Sequence, residues 1–61
     1  MTFMEQLIIE ANKTIFKKAR EKGNLNEVIL ATIAEDKETR INYLINNEII
    51  TSEELNLAIN K

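Results

Sequence analysis

Apolar side chains in the first third of the chain fall at Phe3, Met4, Leu7, Ile8, Ala11, Ile15 and Ala19. At about 100° per residue they fill an arc of roughly 160° on one helix, the width of a core-facing stripe. Thr2 followed by Glu5 has the spacing of a capping box, in which hydroxyl and carboxylate each satisfy an unpaired backbone N–H, so this helix is expected to begin near Phe3. Gly23 should end it in the left-handed conformation, after Lys17, Lys18, Arg20 and Lys22 have set positive charge against the negative end of the helix dipole.

Asn24 and Glu27 repeat the capping spacing, so a second helix is expected from Leu25 through "EVILATIAED". Its β-branched run resembles a strand, but a lone strand has nothing to pair with. At Asp36 the pattern allows either a new start or a continuation. Helical spacing resumes at Ile41, Leu44 and Ile45 and stops at "NNE". Thr51 and Glu54 then form a third capping pair, with Ile50 and Leu55 placed as a hydrophobic staple, which predicts a short last helix from Ser52 to about Asn60. The fold class expected is all-α: one small bundle of three or four short helices over residues 1–61.

Length changes this picture. A chain of 61 residues buries only about 60% of the surface it exposes when unfolded, and domains this small usually need a disulfide, a metal or a second subunit. With no cysteine and no histidine, a disulfide and a zinc site are closed, and no calcium-loop motif is present. Homodimerisation is the remaining route, and the second helix points the same way. Its apolar residues Leu25, Val28, Ile29, Leu30, Ile33 and Ala34 spread around most of its circumference, more than one neighbouring helix covers.

The net charge of −2 conceals an asymmetry. Residues 1–22 carry five basic groups against three acids, and residues 23–61 three against seven. Ile, Asn and Lys supply 24 of the 61 residues, a bias that suggests an AT-rich genome: a low-GC bacterium, a phage or a plasmid. The first fifteen residues include Glu5 and Glu10 and no basic leader, unlike a signal peptide. No uncharged run approaches the roughly 20 residues that span a bilayer, so a cytoplasmic protein without membrane contact is expected.

Candidate chemistry is sparse. The carboxylates Glu35, Asp36, Glu38, Glu53 and Glu54 cluster where helices start and the dipole favours them. No nucleophile–base pairing is visible and so small a domain hardly encloses a substrate pocket, so neither catalysis nor a cofactor is expected. Ile9 and Phe16 lie about 60 to 80° outside the apolar arc of the first helix, beside Lys13, Lys17 and Arg20. Either the other helices embed them, or they form a partner surface; the second reading is preferred, because the arc already supplies a core face. Tyr43 lies opposite the Ile41, Leu44 and Ile45 stripe, either as an outward contact anchor or with its ring lying on the first helix. The expectation is a small regulator or inhibitor that binds another protein through Ile9, Phe16, Lys13, Lys17, Arg20 and Tyr43. The alternative is a DNA-binding regulator using the basic face of the first helix. Against that alternative stands the net acidity of the chain; a helix-turn-helix built from the third and last helices would set "SEELNLAINK", which opens with glutamates, against phosphates.

Overall fold

A computed structural model describes residues 2–60. They form four α-helices: α1 (Phe3–Lys22), α2 (Leu25–Ile33), α3 (Lys37–Asn46) and α4 (Ser52–Ile59). Most of these boundaries have a local cause. The Thr2 hydroxyl accepts the Glu5 N–H at 3.1 Å and starts α1. Gly23, at φ 81°, ends it. There Asn24 N–H reaches the Ala19 carbonyl and Gly23 N–H the Arg20 carbonyl, the paired bonds of a Schellman turn. The helix does break at Asp36, whose carboxylate accepts the Thr39 N–H at 3.3 Å and so caps α3. At α4 the capping box is complete: the Thr51 hydroxyl accepts from Glu54 N–H, and the Glu54 carboxylate from Thr51 N–H. Asn24 makes no side-chain cap to α2, so the spacing that predicted that start is present without the hydrogen bond.

The α3–α4 turn turns sharply without glycine. Glu48 takes φ 57°, a left-handed conformation that ordinary side chains enter at a cost. The N–H groups of Ile49 and Ile50 both reach the Leu44 carbonyl. That compact turn delivers Ile49 and Ile50 into the core, at 1% and 3% exposure.

The core is a cluster of Phe16, Ile29, Ile33, Leu44, Ile49, Ile50 and Ala58, with Leu25, Val28, Ile41, Ile45 and Leu55 packed against it. α2 is the central element, packed most extensively on α4 and also on α1 and α3. Its own chain therefore covers Ile29 and Ile33, which are buried, and half-covers Leu25 and Val28. Leu30, at 44% exposure, and Ala34 stay exposed, so the other helices of the chain cover only part of the apolar circumference of α2.

On α1 the expected and observed faces are exchanged. Ile9 and Phe16, assigned to an outward partner ridge, are buried at 6% and 1% exposure. Of the arc assigned to the core, only Ala19 is buried; Phe3, Met4, Leu7, Ile8, Ala11 and Ile15 are all exposed. The reason is reach. α1 has 20 residues and is about 30 Å long, whereas α2, α3 and α4, with 8 to 10 residues each, span only about 12 to 15 Å. Three short helices cover one side of a long one and leave the other bare. They close on the side that offers Phe16, the largest side chain within reach of the turn at Gly23.

Candidate functional site

The residues proposed from sequence as one partner surface separate into four groups. Ile9 and Phe16 belong to the interior, and the reading of them as a binding ridge is withdrawn: a side chain at 1% exposure meets no partner without unfolding. Arg20 is committed to its own chain. Its Nε donates to Glu54 Oε2 at 2.6 Å, and its Nη2 donates both to Glu54 Oε1 at 3.0 Å and to the Ile49 carbonyl at 2.6 Å. This fork joins the end of α1 to the α3–α4 turn and the start of α4, and its paired geometry is the strongest form of a carboxylate contact. The hydrogen bond from Arg20 holds the Glu54 carboxyl below the usual glutamate range, against the opposing effect of partial burial and with help from the Thr51 backbone N–H. The same hydrogen bond raises Arg20 above its ordinary value.

Tyr43 is half-buried and turned toward α1, with its hydroxyl 3.4 Å from the Asn12 amide nitrogen. Its ring packs against the core cluster, and it is the hydroxyl that reaches the first helix. Asn12 also donates to the Ile8 carbonyl at 3.0 Å, so the pair links α3 to the middle of α1. Beside it lies an open recess of about 400 Å³ lined by Ile8, Asn12, Thr32, Thr39, Arg40 and Tyr43 among others. Lys13 is half-buried, with its ammonium 3.8 Å from Glu10, and Lys17 is exposed. On the helical projection Lys13, Lys17 and Arg20 share one side, whereas Lys18 and Lys22 lie within the arc of Phe3 to Ile15. The basic residues of α1 therefore do not form a single stripe.

What the sequence reading missed as a surface is the exposed apolar face of α1. Phe3, Met4, Leu7, Ile8 and Ile15 are 76, 64, 48, 53 and 55% exposed. Taking about 150 to 200 Å² for a large side chain, these five present roughly 500 Å² on one side of one helix. A signal was available: Lys18 and Lys22 fall inside the arc taken for the core, and two lysines seldom point into the interior of so small a domain.

Among the described residues no helix is long and apolar enough to cross a membrane, and no cluster of three metal-ligating side chains forms. Comparison of the chain with protein-family models, with curated proteins and with solved structures finds no match.

Proposed function

We propose that this chain is a non-enzymatic protein–protein interaction module that regulates or inhibits by occupancy, and that the exposed face of α1 is its contact surface. The supporting observation is the run of five large apolar side chains, each about half exposed or more, on a single helix. Single exposed apolar residues are ordinary; a contiguous patch of several hundred Å² usually marks an interaction site. Burying roughly 500 Å² of apolar surface contributes on the order of 10 kcal/mol before costs. Association consumes about 4 to 15 kcal/mol, so tight binding requires a partner that contributes an apolar surface of its own. This favours a protein as the ligand. No observation favours the DNA reading: Arg20 is held by Glu54 and Ile49, and Lys13 stands beside Glu10.

A photo-crosslinking amino acid placed at position 8, in cells that make the protein, tests this reading. A discrete protein adduct is expected from position 8 and none from the exposed Glu53 position on α4. Equal labelling at both positions, or no adduct at either, overturns it.

A further inference from the structure

We infer that the occupant of this face is a second copy of the chain, paired antiparallel along α1, so that Met4 meets Ile15 and Ile8 meets Ala11 across a two-fold axis. The inference rests on the interaction-module reading above and identifies its partner. It begins from spacing. Met4, Ile8, Ala11 and Ile15 follow at intervals of four, three and four residues, the repeat that keeps one seam facing a neighbouring helix. All four are exposed, so the seam has no occupant within the chain.

Shape supports self-pairing. In a two-fold antiparallel arrangement centred midway between Met4 and Ile15, the large Ile8 of each copy lies against the small Ala11 of the other. Isologous contacts need such a self-complementary patch, and alternation of large and small side chains lets two helices interdigitate. Area agrees as well. Two faces of roughly 500 Å² bury together about 1,000 Å², the size at which a specific interface becomes distinguishable from incidental contact. An unrelated partner would have to supply a matching apolar stripe; the second copy already has one.

Charge selects the direction. Beyond Ile15 the same repeat continues into Lys18 and Lys22. A parallel pair sets Lys18 against Lys18 and Lys22 against Lys22, across a helix separation of about 8 to 10 Å. In the antiparallel pair the two Lys18 positions lie about 25 Å apart along the helix axes, well beyond the screening length of about 8 Å at physiological ionic strength. Opposed helix dipoles favour the same direction.

The chain contains no cysteine, so trapped disulfides report the register cleanly. Sedimentation equilibrium should give twice the 7.1 kDa chain mass. A mixture of Met4→Cys and Ile15→Cys chains should form the mixed disulfide dimer on oxidation, in preference to Met4→Cys with itself. Ile8→Glu should weaken association roughly thirtyfold or more, the effect of a central contact residue, while leaving helical content unchanged because Ile8 lies outside the core. A dimer that links Met4→Cys to itself overturns the antiparallel pairing. A chain that stays monomeric at 100 micromolar or so overturns self-pairing, and the position-8 crosslink then decides what else falls. An adduct with another protein leaves the interaction-module reading standing; no adduct removes both. Cosedimentation with anionic lipid vesicles in place of self-association also overturns the pairing and assigns the face to a membrane surface.

Discussion

Two phenylalanines on one helix provide a direct test of which side of α1 faces inward. Phe16 is 1% exposed and is the one α1 residue in the central buried cluster, so Phe16→Ala removes the side chain that ties the longest helix to the other three. Truncating a buried phenylalanine costs about 3 to 5 kcal/mol, because the cavity left behind adds to the lost transfer energy. A 61-residue domain has a total stability of only about 3 to 9 kcal/mol, so this variant should be largely unfolded or close to it. Phe3 is 76% exposed. Only about a quarter of its surface is withdrawn from water, and with about 1.5 to 3 kcal/mol for complete burial, Phe3→Ala should cost less than about 1 kcal/mol. Phe16→Leu, expected to cost about 1 kcal/mol, keeps the comparison measurable if Phe16→Ala does not fold. Urea unfolding followed by circular dichroism, at low micromolar concentration to suppress association, reads all three midpoints. Equal costs at the two phenylalanines, or a larger cost at Phe3, would refute the assignment of the core face and the interaction surface derived from it.

Further outcomes follow from the Arg20 fork and from the turn after α1. Because the Glu54 carboxyl is held below its ordinary value, its contribution is present above the unfolded glutamate range and is lost as pH falls through the depressed folded value. Acid titration of stability should therefore show a loss beginning near pH 4.5 that Glu54→Gln removes, and an unchanged acid profile in that variant would count against the fork. Arg20→Ala should cost about 1 kcal/mol at neutral pH, discounted because the pair is partly exposed, with the loss read from the urea midpoint. Gly23→Ala should cost about 1 kcal/mol. A Cβ there meets nothing within 4 Å, so the cost comes from the left-handed backbone alone, and a neutral result would show that the turn readily adopts another conformation.

Much of the architecture is legible without coordinates, because it is decided by neighbours in sequence. The ends of α1 and α4 follow from Thr2, Gly23, Thr51 and Glu54, whose partners lie within a few residues, and chemistry at that range is readable from spacing. Helical class follows from periodicity and the absence of proline. Even the choice at Asp36, open in the sequence, is a local matter settled by one side chain reaching Thr39.

Which side of each helix faces inward is a different kind of question. Periodicity measures the width of an apolar arc but not the direction from which other helices approach, and α1 carries apolar residues on both sides. The decision came from contacts that spacing does not reveal: Arg20 to Glu54, 34 residues apart, and Asn12 to Tyr43, 31 apart. It came also from length, since helices of 8 to 10 residues cannot enclose one of 20. The sequence by itself determined an all-helical chain of three or four amphipathic helices and the ends of the first and last, and left the break near Asp36 open. Only the tertiary structure decided that Phe16 is core and Ile8 is surface, because burial is a property of what the rest of the chain can physically reach.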